Sequence, residues 1–283
     1  MSERGLRERI GSGYRYLEHY GRIKFLPIFY RNGVSKTIKG TQYIKEFSLS
    51  PEFKQKAINY WRKYSRKKIS LKWHQLYAAT YGVEDVRYIP GDLYSLYILP
   101  YLNQTKLGGA YSDKNFYDRL FPGCNLPTTV LRKIRNSFFD KDYRPLSYKD
   151  SLAIVEANLK DKRLILKPSV ESGAGRGIVV LEESSFQQLI DSILHDRNQD
   201  FIIQEYLEQS VHMKKLHGSS VNTLRIITLR IGPKIVYLSG IAKIGNFNNI
   251  VDHARVGGFA CGFTRKGLLQ ETALDKKYQR YTQ

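Results

Sequence analysis

The stretch RLILKPSVESGAGRGIVVL, residues Arg163–Leu181, decides the predicted fold of this chain. It has the pattern of an apolar strand that ends at Lys167, a loop of small residues, and a second apolar strand. Gly173, Gly175 and Gly177 tolerate positive φ and let the backbone come close to an anion, with several N–H groups pointing at it. We therefore predict a hairpin whose loop covers phosphate groups, with the charge of Lys167 at the strand end.

The spacing excludes the commoner phosphate-binding loops. A Walker A loop would place Lys-Ser or Lys-Thr after its last glycine and begin a helix, and a dinucleotide loop would need a glycine where Ile178 stands. Strand, lysine, glycine loop and strand in this order resemble the nucleotide hairpin of the ATP-grasp superfamily. The alternative is an ordinary glycine hairpin with an exposed lysine.

Composition excludes several other classes of protein. The chain has 283 residues and a hydrophobic fraction of 42%, enough for two or three modest domains with a core. Its two cysteines cannot form a disulfide framework, and the N-terminal sequence lacks the apolar stretch of a signal peptide. The longest apolar stretch, Leu93–Leu102, is too short to cross a bilayer. We expect a cytoplasmic protein that does not span a membrane.

Positive charge is concentrated in the first quarter of the chain. Of the net charge of +20, residues 1–75 carry +13, from 18 Lys or Arg against 5 Asp or Glu. In this region Phe53, Ala57, Trp61 and Tyr64 fall on one helical stripe, and basic residues occupy the rest of the helix. We favour a solvated helix packed through its aromatic stripe. Peripheral contact of residues 1–75 with an anionic membrane surface stays open, and we do not expect nucleic acid as the partner.

Three helix starts can be read from N-cap residues. Ser50 followed by Pro51 begins the basic helix, and Ser112 is predicted to cap a short helix. Ser147 with Asp150 forms a capping-box pattern before another helix.

Two later stretches, Phe201–Tyr206 and Val221–Ile231, are predicted to be strands. Alternation in the second places Arg225 among Val221, Thr223 and Ile227 on one face. An unpaired buried guanidinium is very costly, so we expect Arg225 to face a carboxylate or a bound phosphate.

A second resemblance covers the chain from about Leu49 to its end, and it is to the sugar-transfer-associated ATP-grasp family. The matching segments, in chain order, are the helix ending at Trp61, Tyr88-Ile89-Pro90, Tyr101-Leu102-Asn103, Ser112-Asp113-Lys114-Asn115, Ile165-Leu166-Lys167-Pro168, Ser172-Gly173-Ala174-Gly175-Arg176-Gly177, Ile203-Gln204 and Ser220-Val221-Asn222-Thr223-Leu224-Arg225. The resemblance implies an α+β or α/β fold in which two lobes with antiparallel sheets hold ATP between them. It divides the chain into a basic helical region (1–85), a pre-grasp segment (86–125) and an ATP-grasp domain (126–283).

The resemblance also implies a nucleotide site. Lys114 and Lys167 would contact the phosphates, and Arg225 would neutralise the transferring γ-phosphoryl group, so that Arg225 and Lys167 are the catalytic candidates. The remaining cofactor-binding candidates lie in the loop, at Ser172, Gly173, Ala174, Gly175, Arg176 and Gly177, and in the hinge, at Gln204, Glu205, Tyr206 and Leu207. The backbone groups of Tyr206 and Leu207 would bind the adenine edge. Glu208 is also a candidate, because it would reach the ribose.

Substrate contacts are implied for Asn222, Thr223, Asp252, Gly257 and Gly258. Alternation turns Asn222 away from Arg225, which also suits a hydrogen-bonding role at the strand entry. The family usually has Asn where this chain has His253, and a glycine turn with incidental polar residues is the alternative.

Magnesium is expected with ATP, yet we assign no metal ligand in this chain. The family uses an Asp and a Glu-x-Asn for Mg²⁺, and no Glu-x-Asn follows Arg225. These ligands are expected beyond Gln283, in a longer form of the protein, or else metal binding is damaged. Residues 1–283 by themselves are therefore expected to bind ATP weakly and to catalyse nothing.

The function implied is an ATP-dependent carboxylate–amine or carboxylate–hydroxyl ligase that acts through an acyl phosphate in surface or capsular polysaccharide biosynthesis. Its partners would be ATP, a small carboxylate and a sugar-linked acceptor. The alternatives are a kinase with the same nucleotide site and a basic, non-enzymatic protein that binds polyanions or nucleic acid.

Overall fold

The computed structural model describes residues 26–103, 108–170, 175–183, 199–247 and 249–282. The chain divides into two compact units. The first contains Met1–Thr105 with Lys277–Gln279, and the second contains Lys106–Lys276 with Arg280–Gln283. The division falls within the predicted pre-grasp segment 86–125.

The first unit is helical where it is described. Its helices are α1 (Leu26–Gly40), α2 (Gln42–Glu46), α3 (Pro51–Arg62), α4 (Lys72–Tyr81) and a continuous helical segment made of α5 (Gly91–Leu93), a π-helical turn (Tyr94–Ile98) and α6 (Leu99–Leu102). Val34, Ile44 and Leu76 join α1, α2 and α4 in one buried cluster. Fully burying such a side chain stabilises the fold by about 1.5–3 kcal/mol.

The basic helix α3 begins as predicted. The Ser50 hydroxyl accepts a hydrogen bond from the Phe53 N–H at 3.2 Å, and Pro51 is the first helical residue. Phe53, Ala57 and Trp61 are buried on the predicted stripe. The fourth member, Tyr64, was wrongly placed in this stripe, because α3 ends at Arg62 and the Tyr64 side chain is 68% exposed.

The second unit contains two antiparallel sheets. The first has the order β3-β2-β1-β6-β4-β5 and the second the order β11-β10-β9-β8-β7. The strands are β1 (Thr129–Ile134), β2 (Ser137–Phe139), β3 (Pro145–Leu146), β4 (Leu164–Pro168), β5 (Val179–Leu181), β6 (Phe201–Glu205), β7 (Thr223–Ile231), β8 (Lys234–Ile244), β9 (Phe259–Phe263), β10 (Leu269–Leu274) and β11 (Arg280–Thr282). This mixed α+β arrangement confirms the predicted fold class at that level.

Helix α8 (Tyr148–Leu159) covers one face of the first sheet and makes the core of the second unit. Its Val155 and Leu159 are buried together with Leu131, Leu164 and Phe201 of three different strands. The helix begins at the predicted capping pair, because the Ser147 hydroxyl accepts a hydrogen bond from the Asp150 N–H at 3.1 Å. Residues that alternate with these core positions along the strands lie on the opposite face of the sheet.

The other short helical elements of the second unit are α7 (Tyr117–Leu120), α9 (Val211–Lys214) and 3₁₀ turns at Gly108–Tyr111, Lys114–Phe116 and Ala254–Val256. The predicted cap at Ser112 is wrong by one residue. Asp113 caps the turn that begins at Lys114, because its carboxylate accepts a hydrogen bond from the Asn115 N–H at 2.9 Å. Within the described ranges, no helix combines the length and the apolar character that crossing a bilayer requires.

Candidate anion-binding site in the second unit

Lys167 lies on the face of the first sheet opposite helix α8. Along β4, Leu164, Leu166 and Pro168 are buried, whereas Ile165 and Lys167 alternate with them and are partly exposed. Residues on one side of a strand recur with period 2, so Lys167 points away from the α8 core. β4 pairs with β5 in antiparallel register, so the two predicted strands of the hairpin are present.

Lys114 lies at the same strand end. Its N–H donates to the Ser169 carbonyl at 3.0 Å, and its Nζ donates to the carbonyls of Pro168 and Ser169 at 3.1 Å each. The Asp113 cap fixes the turn on which Lys114 stands. The structure therefore brings together the two lysines that the sequence assigned to the phosphates, although 53 positions separate them in the chain.

The surroundings of Lys114 and Lys167 disfavour the charged form of both side chains. Burial lowers the pKa of Lys167, and the positive charge of Lys114 lowers it further. Burial also lowers the pKa of Lys114, although the Asp113 carboxylate partly offsets this. Among the residues that the structure describes, no carboxylate forms an ion pair with Lys167. Lys167, partly desolvated and placed beside the second cation Lys114, therefore favours an anionic ligand.

The glycine loop has the backbone conformation expected of it at the two positions that can be described. Gly175 and Gly177 have φ of 76° and 71°, where a side chain is strained. A Cβ on Gly177 would lie 2.7 Å from Pro168 Cγ, and a Cβ on Gly175 would lie 2.7 Å from Val251 Cγ1. The loop thus approaches Val251, which lies in the connection between β8 and β9 of the second sheet. Ser172, Gly173 and Ala174 lie outside the described residues.

Arg176, between these two glycines, is exposed.

The hinge residues span the end of β6, because Gln204 and Glu205 are its last two residues and Tyr206 and Leu207 follow it. Gln204 is buried, and its amide donates to the Pro127 carbonyl at 3.2 Å and to Thr129 Oγ1 at 3.3 Å. The Glu205 carboxylate accepts a hydrogen bond from Lys162 at 2.5 Å, which holds the pKa of Glu205 below its usual value. The side chains of Gln204 and Glu205 are therefore engaged within the first sheet.

The predicted adenine contact of the Tyr206 backbone is narrowed to its carbonyl group, and it stays a prediction. The Tyr206 N–H donates to the Arg163 carbonyl at 2.9 Å, so it is not available as an adenine donor. The adenine edge would have to use the Tyr206 carbonyl and the backbone of Leu207, whose side chain is exposed. Arg163 also stacks on the Tyr206 ring at 4.5 Å from its centroid, which fixes the ring.

Glu208 is exposed and close to two cations. Its carboxylate lies 3.7 Å from Arg163 and 3.4 Å from Lys214. Such exposed pairs contribute little to stability, so a ribose hydroxyl could displace them at small cost.

Asn222 is a structural residue. Asn222 is buried. Its side-chain NH₂ group donates to Gln209 Oε1 at 2.6 Å and to the carbonyls of Met213 and His217 at 3.0 and 2.9 Å. Its Oδ1 accepts a hydrogen bond from the Gly245 N–H at 3.0 Å. Its amide is thereby fully engaged, as expected of a hydrogen bonder at a strand entry.

Thr223 and Asp252 meet. The Thr223 hydroxyl donates to the Asp252 carboxylate, which joins the start of β7 to the segment after β8. Gly257 has φ of 99°, and a Cβ on Gly258 would lie 2.8 Å from the carbonyl oxygens of Asp252 and Ile244. The two glycines therefore let the chain turn tightly against Asp252.

The expectation that Arg225 is buried is wrong. Arg225 is exposed, as are eight of the nine residues of β7, so neither face of this strand is buried. β7 is also the edge strand of the second sheet, with β8 as its one described neighbour. Within the described ranges, no contact links the Arg225 guanidinium to Lys114 or Lys167. Register pairs Arg225 with Ile241 and Thr223 with Lys243, so two cations share one face of β7 and β8.

Sequence reasoning missed a buried arginine in β1. Arg132 is 1% exposed, and its Nη2 lies 2.6 Å from the Asp118 carboxylate. Its guanidinium also lies 4.1 Å from the centroid of the Tyr143 ring. Arg132, Ile202 and Lys167 are register partners across β1, β6 and β4, so Arg132 lies on the same face of the sheet as Lys167, opposite α8. The adjacent charges of Arg132 and Lys133 within an otherwise apolar strand were the available signal.

Two buried polar atoms near Lys114 have no hydrogen-bond partner among the described residues, namely Asn115 Oδ1 and Ser169 Oγ. Both residues have no exposed surface. Asn115 nevertheless helps to hold Arg132, because its carbonyl accepts from Arg132 Nε at 3.1 Å.

No metal centre can be assembled from the described ranges, in which no group of three or more His, Cys, Asp or Glu residues could hold an ion. Glu205 is paired with Lys162, and Asp252 accepts from Thr223. These residues do not make a set of hard oxygen ligands for Mg²⁺.

The chain matches no model of a known protein family, no curated protein and no solved structure.

Proposed function

We propose that the second unit binds ATP in an ATP-grasp manner and uses it to activate a carboxylate. The observation that carries this proposal is the pair Lys114 and Lys167, two cations held at one strand end beside a loop of positive-φ glycines. The two antiparallel sheets and the approach of Gly175 to Val251 support a ligand between the sheets.

A triphosphate suits this pair of lysines better than a neutral ligand would. Each ammonium loses solvation through burial, and Lys167 is further disfavoured by the charge of Lys114. Phosphate oxygens would offset both costs through charge-assisted hydrogen bonds, which are about twice as strong as neutral ones. Arg132 on the same face is already paired with Asp118. It would therefore act on the phosphates through its electrostatic field more than through direct contact.

In the proposed reaction, a carboxylate oxygen of the substrate attacks the γ-phosphorus of ATP, the bond from that phosphorus to the bridging oxygen breaks, and ADP leaves. The acyl phosphate is then attacked at its carbonyl carbon by an amine or hydroxyl, which loses a proton as inorganic phosphate departs. Lys167 and Arg225 are assigned to the charge that develops on the phosphoryl oxygens. The exposed position of Arg225 leaves its fork available to a ligand.

No step is assigned to Mg²⁺, because the described acidic residues do not fit its coordination. Asp252 is assigned instead to the substrate side, where its bond with Thr223 holds the carboxylate in one orientation.

The test is to trap the acyl phosphate. The protein in its full length, including any residues that follow Gln283, would be incubated with ATP, MgCl₂, hydroxylamine and a panel of amino acids and nucleotide sugars, and the products would be analysed by mass spectrometry. We expect ADP and a hydroxamate of one carboxylate, and we expect both to be lost in the Lys167→Ala variant.

Formation of a phosphate ester without a hydroxamate would instead identify a kinase. Binding of polyanions that falls steeply with salt and does not respond to ATP would contradict the nucleotide site altogether.

A further inference from the structure

A separate surface of the first unit has no role in this proposed function. The helical segment from Gly91 to Leu102 contains LYSLYILPYL, which carries no charged residue after Asp92. Large side chains project from it into solvent instead of packing in the core: Tyr94 is 39% exposed, Tyr97 41%, Leu99 38%, Tyr101 88% and Leu102 50%. An exposed apolar patch of this kind marks a contact surface.

A basic turn borders this segment. Residues 61–68 have the sequence WRKYSRKK, with five cations and no acidic residue. Arg62, Lys63, Arg66, Lys67 and Lys68 are all exposed. The turn follows the end of α3, whose aromatic stripe anchors it through Trp61, where the indole N–H donates to the Val86 carbonyl at 2.9 Å.

The basic turn and the apolar segment meet at one open pocket of about 340 Å³. Trp61, Tyr64, Arg66 and Lys67 line it from the turn, and Tyr97 and Ile98 line it from the helical segment. The two features, although 30 positions apart in the sequence, therefore form one continuous surface.

We propose that this surface docks on an anionic lipid bilayer, with the Tyr94–Leu102 side chains entering the interface and the basic turn contacting the headgroups. Tyrosine suits a membrane interface because its ring is apolar and its hydroxyl stays in water. Each Lys or Arg near an anionic surface adds favourable electrostatic free energy. The pocket between the two features can take part of one lipid.

The charge distribution favours lipid over the other classes of partner. Protein interfaces are depleted of lysine at their centres, whereas here Lys67 lines the pocket itself. Nucleic acid would be bound through cations and stacking rings, and it offers no environment for Leu99 and Leu102. An anionic bilayer satisfies both the apolar side chains and the cations at once.

The experiment is sedimentation of the full chain with vesicles of phosphatidylcholine alone and vesicles containing phosphatidylserine. We expect binding to the anionic vesicles that weakens with rising salt. Replacing Arg66 and Lys67 with Gln should weaken it by roughly fivefold for each cation, which corresponds to about 1 kcal/mol each.

The matched charge control is Lys54→Gln with Lys56→Gln, which removes the same charge from exposed positions of α3 that do not line the pocket. Equal loss in the two double variants would overturn the proposal, since it would show binding by net charge alone. Failure of the native protein to prefer anionic vesicles would overturn it as well.

The apolar part is tested with Tyr101→Ser, because this side chain is 88% exposed and its loss leaves the fold intact. The control is Tyr111→Ser, an exposed tyrosine in the second unit. We expect reduced binding for the first variant only. If the Tyr101→Ser variant bound vesicles as well as the native protein, the helical segment would not be in contact with the bilayer, and the proposed orientation would be wrong.

Insertion can be measured directly through tryptophan. The chain has two tryptophans, and in a Trp73→Phe variant Trp61 remains alone at the pocket. Lipids brominated near the headgroup should quench its fluorescence in anionic vesicles. Absence of quenching while the protein is bound would contradict the proposed orientation. These readouts are independent of ATP, so they do not depend on the proposed function.

Discussion

Lys114 lies close enough to Lys167 that its positive charge lowers the pKa of the Lys167 ammonium beyond the effect of burial. The two lysines come from different elements, a 3₁₀ turn and the end of β4. Lys114 is held in place by two carbonyls of the β4 end and the residue after it. This arrangement concentrates positive charge where the glycine loop begins.

Lys167→Ala should weaken ATP binding at least tenfold, about 1.4 kcal/mol, because a direct charge contact to phosphate is lost. Calorimetric titration of ATP measures the effect. The control is Lys160→Ala, which removes an exposed lysine at the end of helix α8. Equal affinity of native protein and Lys167→Ala, with an unchanged melting temperature, would show that Lys167 does not contact the nucleotide.

ATP binding should take up protons at alkaline pH. The folded-state pKa values of Lys114 and Lys167 lie below the ordinary 10.5, so part of each group is neutral before the ligand binds. A bound phosphate favours the ammonium form and raises both values, so protons are absorbed between the free and the bound pKa. Calorimetry in two buffers of different ionisation enthalpy measures this uptake. It should fall in Lys167→Ala, and uptake equal in both proteins would assign it to other groups.

The lowered pKa values of Lys114 and Lys167 also make the stability of the folded protein depend on pH. A lysine whose pKa is lowered on folding is less favourable as an ammonium in the folded protein than in the unfolded chain. This cost is full below the folded pKa and disappears as the pH rises towards 10.5. Without ligand, Lys167→Met should therefore be at least as stable as the native protein at neutral pH, by urea denaturation. A large loss of stability would indicate that Lys167 has a structural partner.

Arg225→Lys should lower turnover much more than ATP affinity, because a point charge cannot reproduce the guanidinium fork. Since Arg225 is exposed on an edge strand, the free energy of unfolding should change by less than about 0.5 kcal/mol. Lys243→Arg is the control on the neighbouring strand. Reduced melting temperature with native turnover would identify Arg225 as a structural residue.

Asn222→Ala should destabilise the second unit by about 1–3 kcal/mol, because it leaves buried groups without their hydrogen bonds. The affected partners are the carbonyls of Met213 and His217 and the Gly245 N–H. Chemical denaturation measures the loss, with Asn59→Ala as the exposed control on α3. If Asn222→Ala kept its stability and lost only substrate affinity, Asn222 would be a substrate ligand.

Features fixed by neighbouring residues in the chain could be predicted from the sequence alone. The N-caps at Ser50 and Ser147 and the positive φ at Gly175 and Gly177 depend on contacts within a few positions. The hairpin of β4 and β5 and most of β7 followed from apolar alternation. The order of these elements suited an α/β or α+β protein, whereas the antiparallel sheets were implied by the family resemblance and not by local patterns.

Tertiary structure decided which side chains meet and which are buried. Alternation could assign Arg225 to a face of β7 but could not show that both faces of this strand are exposed, so the exposure of Arg225 was missed. Burial of Arg132 depends on Asp118 and Tyr143, which approach it only after the sheet forms. Lys114 and Lys167 come together for the same reason. Burial and electrostatic shifts arise from residues distant in sequence, and no local pattern encodes their distances.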